Sequence, residues 1–259
     1  MGIDKYAYNS RLAATRTFDK LIFSLLPLFV CLFSNSNIVS LTVLSVMGVS
    51  TIYWSGLSVR KYLKLLTLPL TFLILGTLTI IIQAIDATDI SVIHTAPIFG
   101  KTYGITKQSL EGGMELILKS IAAVSCLYFF SLNTTMNSFF NSLRKSKLPS
   151  VLIELMELIY RFIFVIGSEA NRIYTAQASR LGYRSFLVGL KSLGVLAAAL
   201  FVKALGRTER LNYALEARNF RGSYEYLIIK DEKCIAFSIG GILFAVFLIC
   251  LKLAEQFVI

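Results

Sequence analysis

A chain of 259 residues with 56% hydrophobic content and a mean hydropathy of +0.69 is too apolar for a soluble domain. Its formal charge of +11 would suggest a nucleic-acid ligand in a soluble protein. In a chain with long apolar runs, excess Lys and Arg instead marks the loops held on the cytoplasmic side, so topology explains the basicity and no nucleic-acid partner is expected.

Five apolar runs follow one another: Leu21 to Phe33, Ile38 to Tyr53, Leu65 to Ile85 (with Pro69 near its start), Ile117 to Leu132, and Cys234 to Leu251. A helix needs about 20 apolar residues to cross a bilayer, and shorter ones cross by local thinning or snorkelling. All five are read as transmembrane. Lys20 ahead of the first run could also open a signal peptide, but Phe33-Ser34-Asn35-Ser36-Asn37 offers no small-residue cleavage pattern, so the run is kept as a span.

Of the 26 Lys and Arg, 22 then lie on the side of the N-terminus and 4 on the other. The N-terminus is therefore expected in the cytoplasm and the C-terminus outside. A sixth segment, Phe186 to Leu205, is also long and apolar enough to cross. Its Lys191 and Lys203 would each cost about 2.5–3.5 kcal/mol at a helix centre but can snorkel near the ends. Crossing would place the six basic residues from Arg207 to Lys233 outside, so the segment is expected to lie along the cytoplasmic interface, with six spans as the alternative. The organisation is then a four-span membrane domain over 1–132, a cytoplasmic helical module over 133–233 and a final span over 234–259. The external loop, residues 86–113, with Pro97 and several glycines, reads as an irregular lid.

The module contains two matched stretches. One is Arg172-Ile173-Tyr174-Thr175-Ala176-Gln177-Ala178-Ser179-Arg180, the other Arg210-Leu211-Asn212-Tyr213-Ala214-Leu215-Glu216-Ala217-Arg218. Counted back from the final arginine, each has Arg at −8, a branched aliphatic residue at −7, Ala at −4 and a small residue at −1. Offsets −8, −4 and 0 share a helix face, so each copy presents a small-residue track ending in a guanidinium. Gly182 and Gly222 are plausible helix stops, which puts each arginine in a last turn, where the helix dipole favours a cation. Pro149 is suited to open the first helix, in which Glu157 and Arg161 are spaced for an i,i+4 pair. Twin arginines on twin helices suggest a partner with two equivalent receptor sites. The competing explanation is an amphipathic, membrane-anchored surface that binds anionic lipid.

Other features carry less. Gly100-Lys101-Thr102 resembles the tail of a phosphate-binding loop, but the leading glycine would fall at Thr95 and no strand precedes it. His94 is the sole histidine, so no His cluster can bind a metal. Cys31, Cys126, Cys234 and Cys250 are too far apart for a metal motif and read as lipid-buried thiols. Glu154, Glu157 and Glu169 read as ordinary helix charges. A lipid-headgroup phosphotransferase would surround an Ala-Arg pair with metal-binding aspartates; the nearest to Arg218 is Asp231 and none is near Arg180.

Paired arginine motifs between four N-terminal spans and one C-terminal span resemble the transmembrane T component of energy-coupling factor (ECF) transporters. The opening Ile3-Asp4-Lys5-Tyr6-Ala7-Tyr8-Asn9-Ser10-Arg11-Leu12 is similar to that of the cobalt-type, CbiQ-like members. The family motif is often Ala-Arg-Gly; the matching residues are Ser179-Arg180-Leu181 and Ala217-Arg218-Asn219. The resemblance implies an all-α integral membrane protein of a bacterial or archaeal cell membrane, embedded in the lipid bilayer. It implies a non-catalytic subunit that binds no cofactor, the ATP being bound by partners. Those partners are two ATP-binding cassette ATPase subunits, which meet the two arginine motifs, and a membrane subunit that captures the substrate. Cobalt or nickel is the implied cargo, with a vitamin-type transporter as the alternative.

Overall fold

The computed structural model describes residues 3–84, 92–98, 101–146, 148–220 and 235–258. Its helices are α1 (Ile3–Asn9), α2 (Thr17–Phe33), α3 (Asn37–Ser55), α4 (Val59–Ile81), α5 (Lys107–Asn133), α6 (Met136–Arg144), α7 (Ser150–Ser179), α8 (Phe186–Glu216) and α9 (Ile235–Val258). They form two compact units, one of Met1–Ser142 with Lys230–Ile259, the other of Leu143–Ile229.

In the first unit α5 is the central helix, packed against α1, α2, α3 and α4, while α9 lies along α2. The core joins Leu28 and Cys31 of α2, Val39, Val43 and Met47 of α3, Cys126 and Phe129 of α5, and Leu248 of α9. Helix ends are set by local chemistry. The Ser36 hydroxyl accepts from the Val39 N–H to start α3, and Gly56 stops it in the left-handed region at φ 67°. Thr106 and Ser109 form a reciprocal capping box that starts α5. Gly241 lets α9 approach α2 closely: a Cβ there would lie 2.8 Å from the Phe23 Cα.

Polar side chains tie this apolar unit together. The Tyr62 hydroxyl of α4 lies 2.7 Å from the Ser125 hydroxyl of α5, and the Tyr128 hydroxyl donates to the Leu65 carbonyl. Lys20 is fully buried and donates to the Asn133 carbonyl at 2.9 Å. Beside it the Ser10 hydroxyl is 2.7 Å from Asn133 Oδ1, and Ser238 of α9 donates to Asp19 of α2 at 2.8 Å. A polar group removed from water needs such partners, and lipid supplies none.

Among the described residues five helices are long and apolar enough to cross a membrane, which makes this a multi-pass helical membrane protein as expected: α3, α4, α5, α8 and α9. Their membership differs from the expected five. The first apolar run falls in α2, whose 17 residues include Pro27. At 1.5 Å per residue it is about 25 Å long, short of a hydrocarbon core of about 30 Å. Conversely, Phe186 to Leu205 is the start of a single 31-residue helix that enters the set on length and hydropathy.

The loop expected to be irregular contains structure. Strands β1 (Ile82–Ala84), β2 (Val92–Ile98) and β3 (Lys101–Thr106) form an antiparallel sheet in the order β1-β3-β2, with Ile82 opposite Ile105 and Ala96 opposite Tyr103. Pro97 sits in β2, an edge strand, where a missing N–H is tolerated. Residues 107–113, also assigned to the loop, are the first two turns of α5. The β-branched residues of 92–98 and 101–106 are the strand signal that the glycines and proline obscured.

Candidate functional site: twin arginine caps on a helical hairpin

The second unit is built on α7 and α8. Gln177 meets Ser192, Glu169 meets Lys203, and Phe162 meets Arg207, so residues late in α7 face residues early in α8 and the pair runs antiparallel. Lys203 donates to Glu169 at 2.8 Å, and Arg172 adds a second contact at 3.2 Å. Together they hold the Glu169 carboxyl below its ordinary range, the Lys203 hydrogen bond and charge being the larger causes. Glu157 takes Arg144 from outside the helix as its ion-pair partner, rather than the expected Arg161.

Both motif arginines occupy the same place in the same hydrogen-bonded turn. After α7 the Leu181 N–H donates to the Ala178 carbonyl at 3.0 Å and the Gly182 N–H to the Gln177 carbonyl at 2.8 Å. After α8 the Asn219 N–H donates to the Glu216 carbonyl at 2.9 Å and the Phe220 N–H to the Leu215 carbonyl at 3.0 Å. These are two Schellman caps: in each the arginine is the capping residue and its successor takes a left-handed backbone. Leu181 has φ 59° and Asn219 φ 56°, and among the described residues no other non-glycine has positive φ. The arginines therefore stand one step beyond the last turn in which they were expected. At Arg180 the backbone has left the helix, with φ −100° and ψ 21°.

This geometry accounts for the residue types. The position after the arginine requires left-handed φ, which glycine adopts freely, asparagine tolerates and leucine resists. Gly182, expected to stop α7, is the second residue of the cap; a Cβ there would come 2.8 Å from the Gln177 carbonyl oxygen. Gly222 lies outside the described residues. Ser179, Arg180, Leu181, Ala217, Arg218 and Asn219 are all exposed, and among the described residues neither Arg180 nor Arg218 has an intrachain ion pair or side-chain hydrogen bond. Because the helices are antiparallel, the two caps lie at opposite ends of the hairpin, roughly 45 Å apart along the 31-residue α8.

A brace around the first cap was not anticipated. Gln177 donates to the Ser192 carbonyl at 3.0 Å and accepts from the Tyr183 hydroxyl at 2.8 Å, and Ser192 donates to the Gly182 carbonyl at 2.7 Å. These contacts span up to fifteen residues, and no periodic signal announces them. The two −8 arginines also diverge: Arg172 pairs with Glu169, whereas Arg210 lines a groove between the helices. Among the described residues no group of three or more His, Cys, Asp or Glu could hold a metal ion. His94 lies in β2, Cys31 and Cys126 are buried, Cys250 is exposed, and Cys234 is outside the described residues.

The sequence profile of the CbiQ family, described as cobalt transport protein, matches residues 10–227, which covers α2 to α8 and the twin caps. This chain belongs to that family. An uncharacterized protein of Methanocaldococcus jannaschii is 30% identical over 96% of this chain and 91% of its own length. The cobalt transport protein CbiQ of Salmonella typhimurium is 25% identical over 86% of this chain and 98% of its own. The energy-coupling factor transporter transmembrane protein EcfT of Bacillus subtilis is 28% identical, covering 75% and 76%.

Proposed function

We propose that this chain is the transmembrane coupling subunit of an ECF-type importer, and that Arg180 and Arg218 each dock on one of two ATPase subunits. The observation that carries this reading is the duplicated cap: two exposed guanidiniums with no ion pair or side-chain hydrogen bond among the described residues, in one backbone geometry, at opposite ends of one hairpin. A guanidinium keeps its charge and can grip a carboxylate with two parallel bonds, which suits a contact that must transmit force through a moving interface. Family membership and the names of the relatives support a transporter, with cobalt as the favoured cargo and a membrane partner that captures it. The excess of Lys and Arg supports a cytoplasmic N-terminus, with residues 133–233 on the same side.

The test is substitution of each arginine in the assembled complex. Truncating one partner of a desolvated charged contact typically costs about 2–5 kcal/mol. Arg180→Ala or Arg218→Ala should weaken ATPase association or uncouple hydrolysis from uptake, and the double variant should do so more severely. Lysine should rescue poorly, since it keeps the charge but not the fork. Normal assembly and transport by the double Ala variant would refute the proposal.

A further inference from the structure

Four guanidiniums converge on one groove between α7 and α8. Arg161 lines it from α7, and Arg207, Arg210 and Arg218 line it from α8, around a cavity of about 510 Å³. Among the described residues no acidic side chain lines it, and none of the four makes an ion pair within the chain; Arg207 instead lies over the Phe162 ring at 5.7 Å. On the same hairpin, by contrast, Lys203 and Arg172 are matched by Glu169, and Glu157 takes Arg144 of α6. Four like charges gathered around one cavity repel one another, and an anion seated among them turns that repulsion into attraction.

The apolar surroundings narrow the kind of anion. Leu158, Val165 and Leu211 line the groove, which shares Val165, Arg207 and Arg210 with a second cavity lined by Ile166, Leu200 and Ala204 and by the ion-paired Glu169 and Lys203. The two cavities thus form one trough, in which aliphatic side chains beside the Glu169–Lys203 pair lead to a cluster of guanidiniums. The arginines gather where α8 changes character: residues 186–205 carry only Lys191 and Lys203 as charges, whereas Arg207, Glu209, Arg210, Glu216 and Arg218 follow. Arginines at such a boundary stand at headgroup depth with their stems over apolar surface. We propose that the trough is a binding site for an anionic phospholipid, its phosphate held by Arg161, Arg207 and Arg210 and its acyl chain lying against Leu158, Val165 and Leu211. The site is independent of the proposed ATPase contact, except that Arg218 borders both.

The experiment keeps Arg218 intact. The full chain is reconstituted in nanodiscs of mixed phosphatidylglycerol and phosphatidylcholine, and the lipid it retains is counted by native mass spectrometry after detergent release. The wild-type chain should retain phosphatidylglycerol in preference to phosphatidylcholine, and Arg161→Gln with Arg207→Gln should lower that preference by about tenfold. Arg60→Gln with Lys64→Gln removes the same charge away from the trough and should leave the preference unchanged. Glycerol 3-phosphate, which has the anion without the chain, should not displace the lipid. An equal loss in the Arg60/Lys64 variant, full displacement by glycerol 3-phosphate, or unchanged retention in the Arg161/Arg207 variant would each overturn the site. Unchanged retention with weaker ATPase binding would reassign the groove to an acidic protein surface.

Discussion

The left-handed residue after each arginine makes a quantitative demand on stability. Leu181 has φ 59° and is 68% exposed, so most of its side chain lies outside any contact within the chain. Left-handed backbone costs an L-residue roughly 1–2 kcal/mol, while glycine escapes that cost but loses about 0.4–1 kcal/mol through a freer unfolded chain. Leu181→Ala and Leu181→Gly remove nearly the same apolar contact, about one-third of a leucine, so their difference isolates the backbone. Glycine should therefore stabilise the cap by about 0.5–1 kcal/mol relative to alanine, the reverse of the order found inside helices. The Leu181 and Gly182 amides close the cap, so hydrogen exchange of a peptide spanning residues 177–184 reads it directly. Exchange should be about 2–5-fold slower in the glycine variant than in the alanine variant. The same order should hold for Asn219→Gly against Asn219→Ala, with wild-type Asn219 close to glycine because asparagine tolerates this backbone. Equal exchange in the two variants, or slower exchange with alanine, would refute the argument that backbone conformation at these positions sets the caps.

Gly241→Ala should destabilise the first unit by about 1–3 kcal/mol, because its Cβ would meet the Phe23 backbone at 2.8 Å, whereas Gly240→Ala, 4.0 Å from the Phe23 ring, should be nearly silent; thermal unfolding in detergent compares them. The carboxyl of Glu169 has its pKa depressed in the folded chain, so the contribution of its pairing is present above the ordinary glutamate range and is lost as pH falls through the depressed value. Carboxyl carbon NMR should show Lys203→Ala returning that titration toward the ordinary range, and an unmoved titration would discount the Lys203 contact. Cysteines introduced as Arg184→Cys and Arg221→Cys, in a background without the four native cysteines, should both resist an impermeant thiol reagent in intact cells; labelling at 221 with protection at 184 would establish that α8 crosses the membrane.

The helical segments were legible because long apolar runs dominate the pattern, and the runs beginning at Ile38, Leu65, Ile117 and Cys234 all lie largely within helices. Length was harder to judge. The polar start of α5, Lys107 to Glu115, carries no hydropathy signal, and its capping box uses Ser109 where the more familiar residue is glutamate or glutamine. The twin arginines could be found from their spacing, but not the reason for their spacing from the helix end. That reason is the positive φ of Leu181 and Asn219, and only asparagine advertises it in sequence. The arginine groove left a trace in the series Arg207, Arg210, Ala214 and Arg218, which follows one helical face, but its fourth member, Arg161, belongs to a different helix and is joined to the others only by folding.

The buried amine of Lys20 also constrains the order in which the protein can be made. Its hydrogen-bond acceptor, the Asn133 carbonyl, is 113 residues further along the chain, and Asp19 beside it meets Ser238 only after 219 residues. At translation rates of about 5–20 residues per second, the first of those gaps takes roughly 6–20 s. During that interval two polar contacts that α2 makes in the folded chain, from Lys20 and to Asp19, cannot yet form. Those contacts close only once α5, and then α9, have been made. A helix near the start of the chain thus completes its polar contacts late, and a chain stopped before Asn133 lacks one acceptor of the buried Lys20 amine.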